Sequence, residues 1–523
     1  MLFNSFEFLL FFLPVTLVGF FVLGRFQPRV AAAWLTLASL FFYGWWNPLS
    51  VPLLVASILF NYIVARYIVS GGDDLNGRRR KAGLACAIAA NLLLLGYFKY
   101  ANFFLTSAGS VLGANWRMAD IILPLGISFF TFTQISFLVD TYQGKAREYD
   151  LVHYGLFVTY FPHLIAGPVL HHQQMMPQFA RPATYRLAGE NIAMGLTIFS
   201  LGLFKKVMIA DTVAMFSTPV FDAAAGGATI GFVAAWGGAL AYAFQIYFDF
   251  SGYSDMAIGL SRMFGIALPL NFNSPYKAVN IIDFWRRWHM TLSRFLRDYL
   301  YVPLGGNRRG AARRHVNLIA TMLLGGLWHG AAWTFVIWGG LHGMYLVVNY
   351  AWQALRRRLG HDLTRSTWPG RHAGRLVTFT AVVAAWVFFR ATSFEAAVRI
   401  LKGMAGANGF RLEAPPYYVE TLQHTVLVPV AIDLGWELKP LAVLAGLLVV
   451  LLMLVWWAPN TQELMGRFND ALDPYERETS VTRAGWLERF PPRLVAAVVG
   501  VIFAISLLGL VTEVPSEFIY FQF

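Results

Sequence analysis

Leu323-Leu-Gly-Gly-Leu-Trp-His-Gly-Ala-Ala-Trp333 lies inside a run, residues 316–355, that contains no Lys, Arg, Asp or Glu. At about 1.5 Å per residue, such a run is long enough to cross a hydrocarbon core of roughly 30 Å twice. Arg313-Arg314 precedes it and Arg356-Arg357-Arg358 follows it. Basic clusters favour the cytoplasmic side, so both ends belong on one face and the run crosses an even number of times. The turn then falls near Gly330 to Trp333. Shorter re-entrant helices fit the same run and would leave His329 closer to the midplane. Either way the chain is read as an all-α, polytopic membrane protein.

The rest of the composition agrees. Of the 523 residues, 57% are hydrophobic and 13% charged, about half the charged fraction of a soluble domain. The apolar runs have helix length; β-barrel strands need only about 10 residues. The net charge of +13 comes from short-loop clusters such as Arg78-Arg79-Arg80-Lys81 and Arg308-Arg309, which suit an anionic membrane surface. No basic stripe is interleaved with aromatics on a soluble domain, so nucleic acid is not an expected partner. Cys86 is the single cysteine; it excludes an internal disulfide and reads as plain packing. The first 24 residues lack a basic n-region and a small-residue cleavage site, and read as a retained first helix.

Spans are expected near 6–24, 30–46, 51–68 and 82–98. Arg25 and Arg29 follow the first, and Arg66 with the 78–81 cluster follows the third, which puts the N-terminus outside. Segment 119–140 contains Pro124 and Gly126 and predicts a kinked helix or a helix pair. Segment 151–170, with Pro162, Gly167 and Pro168, predicts a short or re-entrant element sheltered by protein. Spans at 187–208 and 229–248 follow, the second ending at a polar cluster, Asp249 to Asp255. In 281–304, Trp285, Trp288, Leu292, Phe295, Leu296 and Tyr299 recur at helical spacing with arginines on other faces. This predicts an amphipathic helix lying along or dipping into the cytoplasmic interface. Further spans are expected near 376–391, 440–458 and 493–511, separated by patternless loops at 404–439 and 459–492.

His329 is the sharpest functional candidate. A titratable ring in a bilayer segment is costly and by default a working group, and Gly326 and Gly330 clear space around it. Its imidazole would take a proton from a hydroxyl attacking an acyl carbon and return one to the leaving group; the competing reading is a histidine bonding two helices together. His289 follows Arg286 and Arg287, whose guanidinium forks suit the phosphates of a nucleotide-bearing donor; head-group anchoring is the alternative. Asp249, Tyr253 and Asp255 would orient a histidine or bind an acceptor hydroxyl, unless they cap a helix after a break. Leu304-Gly-Gly-Asn-Arg-Arg-Gly310 lacks the phosphate-loop pattern and reads as a tight basic turn. His153, His163, His171 and His172 show no metal spacing, so no metal is expected, and His342 reads as support for His329.

At these residues the chain resembles a known family. The strings are Leu123-Pro-Leu-Gly-Ile-Ser-Phe-Phe, Phe161-Pro-His-Leu-Ile-Ala-Gly-Pro-Val and Tyr247-Phe-Asp-Phe-Ser-Gly-Tyr-Ser-Asp-Met-Ala-Ile-Gly. They continue with Phe284-Trp-Arg-Arg-Trp-His-Met-Thr-Leu-Ser, Arg297-Asp-Tyr-Leu-Tyr-Val-Pro-Leu-Gly-Gly-Asn, Gly326-Leu-Trp-His-Gly and Phe388-Phe-Arg-Ala. In this order they resemble the membrane-bound O-acyltransferases, in particular the bacterial alginate O-acetylase branch. The resemblance implies one domain over 1–523, with core motifs within 120–395 and residues 396–523 weakly matched. It implies about a dozen membrane helices, with re-entrant and interfacial ones around a central funnel or tunnel.

It also implies that His329 is catalytic, with Trp328 beside it in the motif as a substrate-binding residue, and that His289, a second catalytic residue, lies near the donor route on the cytoplasmic side. The implied activity moves acetyl groups from acetyl-CoA, a substrate rather than a bound cofactor, across the bacterial inner membrane to an exported polysaccharide such as alginate. A periplasmic acetyltransferase partner would complete the transfer. Acyl or D-alanyl transfer to cellulose, peptidoglycan or teichoic acid is the alternative. A secondary transporter is the rival class, and it would need repeated halves, of which the sequence shows none.

Overall fold

The computed structural model describes residues 1–70, 77–119, 121–146, 150–363, 367–410, 440–466, 487–512 and 518–519. Most of the two loops expected at 404–439 and 459–492 lies outside these residues. The described chain is a bundle of helices: α1 Glu7–Phe26, α2 Pro28–Gly44, α3 Val51–Ser70, α4 Gly77–Leu112, α5 Ile127–Tyr142, α6 Leu151–Thr159, α7 His172–Phe179, α8 Gly189–Ala225 and α9 Phe232–Met263. Then come α10 Ile281–Trp285, α11 over 290–301, α12 Gly310–His329, α13 Trp333–Arg358, α14 Trp368–Arg390, α15 Phe394–Met404, α16 Pro440–Trp457, α17 Thr461–Met465 and α18 Pro492–Thr512. Among the described residues, six helices are long and apolar enough to cross a bilayer: α1, α3, α4, α8, α14 and α18. The polytopic all-α architecture stands.

The charge-free run folds as the two-helix reading expects. α12 and α13 form a hairpin whose turn is Gly330 to Ala332, and their basic ends meet where Arg314 lies over the Tyr350 ring at 4.3 Å. The hairpin closes through glycine. A Cβ built on Gly326 would fall on the carbonyl oxygen of Phe335, and one built on Gly339 on that of Met322. Small residues permit this approach, which lets backbone van der Waals contact replace a missing hydrophobic drive. Gly326→Ala must therefore spread the hairpin at the turn before His329. We expect a loss of about 1–3 kcal/mol, read as a lower melting temperature in detergent, together with reduced activity.

Helices α8 and α9 use the same device twice, pairing Gly195 with Gly259 and Gly202 with Gly252. Helices α3, α4 and α5 are joined instead by buried amides. Asn61 and Asn91 exchange bonds of 3.2 and 2.7 Å, Asn61 donates to Gln134, and Gln134 donates to Ser57.

Four local expectations need correction. Segment 119–140 is not a kinked helix: α5 begins only at Ile127, after Gly126 turns the chain with φ 69° against the Leu164 carbonyl. The span expected at 229–248 does not break before the polar cluster, since α9 runs unbroken through Asp249 to Met263. The cluster is tolerated in mid-helix because Lys205 and Lys206 of α8 neutralise its carboxylates. Segment 281–304 is not one interfacial helix: it breaks at His289, whose backbone is left-handed at φ 43°, and Trp288 and His289 are fully buried. Cys86 is exposed on the outer face of α4 rather than packed inside.

Candidate active site

α12 stops at His329 because Gly330 takes an extended conformation, with φ −161°. A helix end leaves its last carbonyls without intrahelical donors. Here they are met from α4, where the α-helix loosens into a π-helical turn at Gly96–Tyr100. Tyr100 Oη donates to Leu327 O at 2.9 Å. Lys99 Nζ donates to Trp328 O at 2.6 Å, to His329 O at 3.2 Å and to Ser128 Oγ at 3.4 Å. Lys99 sits about 29 Å along the α4 axis from Arg80. His329 is therefore far from the basic end of the bundle.

The His329 ring is buried, 4% exposed, in an aromatic cage. Trp328, Trp338 and Phe389 approach it at centroid distances of 4.9, 5.1 and 5.1 Å. The fourth neighbour is His289, 6.4 Å away. Two sequence-distant motifs thus bring their histidines together.

His289 is held by the strand-like segment around Asn271. Met290 N donates to Asn271 O at 2.9 Å, and Asn273 N donates to Arg287 O at 2.9 Å. Asn271 Oδ1 accepts from Thr291 Oγ1 at 2.8 Å and lies 3.0 Å from His289 Nδ1. An amide oxygen only accepts, so Nδ1 carries the hydrogen and the neutral ring keeps its basic lone pair on Nε2. Phe250 of α9 closes the other side of this ring at 4.8 Å. A non-glycine residue held in the left-handed region is strained, and such strain gathers at functional sites. Sequence periodicity cannot reveal it, since no glycine or asparagine marks the break.

The other sequence candidates go elsewhere. Asp249 pairs with Lys206 at 2.7 Å and accepts from Ile519 N at 3.2 Å. Asp255 pairs with Lys205 at 2.6 Å and accepts from Thr461 Oγ1 at 2.6 Å. Tyr253 is stacked between Phe3 and Phe518. These three form an ion-pair and ring cluster between α8, α9 and the C-terminal segments, joined to the histidines through Phe250. Arg287 is bound to Asp283 at 2.7 Å and to Asn273 O, while Arg286 is exposed. His342, on the neighbouring helix, shares Trp338 with His329: that ring lies 5.1 Å from His329 and 4.9 Å from His342.

No group of three His, Cys, Asp or Glu side chains that could hold a metal occurs among the described residues. His171 and His172 join Tyr299 and Asp140 instead: Tyr299 Oη donates to Asp140 Oδ2 at 2.8 Å, 3.2 Å from His171 Nδ1, and His172 Nδ1 lies 3.3 Å from the same carboxylate oxygen. From Tyr299 a line of ring contacts leads through Phe295, Phe132 and Trp328 to His329, at 5.0, 4.5, 5.6 and 4.9 Å. It connects the arginine-bearing end of α11 with the buried imidazole.

Sequence reading missed Lys99 and Tyr100. The signal was present, because a lysine within an apolar segment is itself a mark of function; the span drawn at 82–98 stopped one residue short of it.

Residues 140–389 match the membrane-bound O-acyltransferase family model. The chain is 48% identical to a peptidoglycan O-acetyltransferase of Helicobacter pylori, over 79% of this chain and 81% of that protein. It is 41% identical to a probable alginate O-acetylase of Pseudomonas aeruginosa, over 79% and 76%. With a probable alginate O-acetylase of Pseudomonas fluorescens it shares 37% identity over the full length of both chains.

Proposed function

Because the chain belongs to the membrane-bound O-acyltransferase family and is a multi-pass membrane acyltransferase, we propose that it passes acetyl groups from cytoplasmic acetyl-CoA to an exported polysaccharide, with His329 as the catalytic base. The observation that carries this reading is the His289–His329 pair, buried 6.4 Å apart in the aromatic cage. An acceptor oxygen attacks the thioester carbonyl as the imidazole takes its proton; the ester C–O bond forms, the C–S bond breaks, and the proton passes to the departing thiolate. We assign the approach of the narrow acyl-bearing arm to the line of rings from Tyr299 to Trp328, which ends at the imidazole. CoA's phosphates stay at the basic face, which spares an anionic nucleotide the cost of hydrocarbon.

In this arrangement the protein sits in the inner membrane with its N-terminus outside, and a periplasmic acetyltransferase receives the acetyl group. Alginate is the acceptor class read from the motifs. The 48% identity to a peptidoglycan O-acetyltransferase favours a second reading, a cell-wall glycan acceptor.

The purified protein in liposomes tests both. Radiolabelled acetyl-CoA supplied on the side of the basic loops is expected to lose its label to an acceptor on the other side. Alginate and peptidoglycan fragments, offered separately with a periplasmic acetyltransferase, identify the acceptor. Label that never leaves CoA under any pairing would reject the donor assignment.

A further inference from the structure

We infer that Lys99, with Tyr100, is a positioning residue for His329: the loosened turn of α4 is a clamp that fixes the catalytic imidazole by holding the end of its helix. The inference rests on the reading of His329 as the catalytic base. Three consecutive carbonyls, those of Leu327, Trp328 and His329, all receive donors from these two adjacent side chains. An ammonium group has three hydrogens, and Lys99 spends them on Trp328 O, His329 O and Ser128 Oγ. A cation also complements the partial negative charge at a helix C-terminus.

The π-helical turn Gly96–Tyr100 is part of the device. In a regular helix, adjacent side chains point about 100° apart. Here both reach the same helix end. π-bulges are frequent at functional sites, and this one supplies a reason. His329 is the last residue of α12, followed by an extended glycine. Together with the close Gly326–Gly339 contact of the hairpin, the clamp fixes where the ring sits relative to His289.

The test compares Lys99→Met, Lys99→Arg and Tyr100→Phe with wild type and His329→Ala, using purified protein and labelled acetyl-CoA. A misplacement near 1 Å costs about 100-fold in rate, so Lys99→Met is expected to lower kcat about 100-fold with KM for acetyl-CoA within about twofold. Lys99→Arg keeps the charge and donors and is expected to recover at least about tenfold of that loss. Tyr100→Phe removes one donor of the set and is expected to lower kcat about fivefold. It keeps the ring, so it decides the matter if Lys99→Met does not fold.

Wild-type kcat in Tyr100→Phe and in any folded Lys99 variant would overturn the clamp, as would a loss confined to KM or a Lys99→Arg variant no better than Lys99→Met. Activity retained by His329→Ala would instead overturn the catalytic reading itself, so the two failures are distinguishable.

Discussion

Replacing His329 with alanine is expected to abolish acetyl transfer, lowering kcat at least about 1000-fold while the protein still folds. The ring contributes little to cohesion that its neighbours do not share: Trp338, Phe389 and Phe335 also pack against one another around it. Its chemistry has no such substitute. General-base catalysis contributes about 100- to 10,000-fold. His289 is fixed by Asn271 with its ring centroid 6.4 Å from that of His329, so it does not occupy the position the imidazole vacates. His329→Gln keeps a polar side chain of similar reach yet cannot carry the proton, so it should be nearly as inactive. Single-turnover loss of labelled thioester, measured at matched monodispersity in detergent, is the check. Equal rates in wild type and His329→Ala would sink the assignment.

The largest expected effect on stability comes from Lys206. Its ammonium lies 2.7 Å from Asp249 and 2.8 Å from Asp211, and both Lys206 and Asp249 are almost fully buried. Removing one partner of a buried ionic group strands the other charge, at about 3–5 kcal/mol. Lys206→Met strands two carboxylates and should sharply lower the melting temperature. Adding Asp249→Asn removes one of the stranded charges and should restore part of the loss. That pairwise rescue separates charge compensation from lost packing.

The same substitutions judge the sequence-based role of Asp249. Full activity per folded molecule in Asp249→Asn, with lower stability, marks it as structural. Unchanged stability with lost activity marks it as an acceptor-binding group.

What could be read from the sequence follows from where each determinant lies. The α12–α13 hairpin was legible because its signals are contiguous: a charge-free run, basic ends, and a glycine-alanine break next to His329. Continuity of α9 was not, because Asp249, Tyr253 and Asp255 look like a helix end until Lys205, Lys206 and Thr461 are brought beside them. The helical period of 281–304 was visible while its interruption was hidden, since that depends on Asn271 seizing His289 from 18 residues away. The pairing of His289 with His329 required the fold.

The contacts at Phe518 and Ile519 carry a consequence for biogenesis. Ile519 N reaches Asp249, and Phe518 packs on Phe250, whose other face meets His289. A nascent chain leaving the ribosome can insert its early helices long before those residues emerge, but it cannot finish the middle of the molecule. Assembly of the catalytic centre therefore waits for the segment around Phe518 to dock on α9.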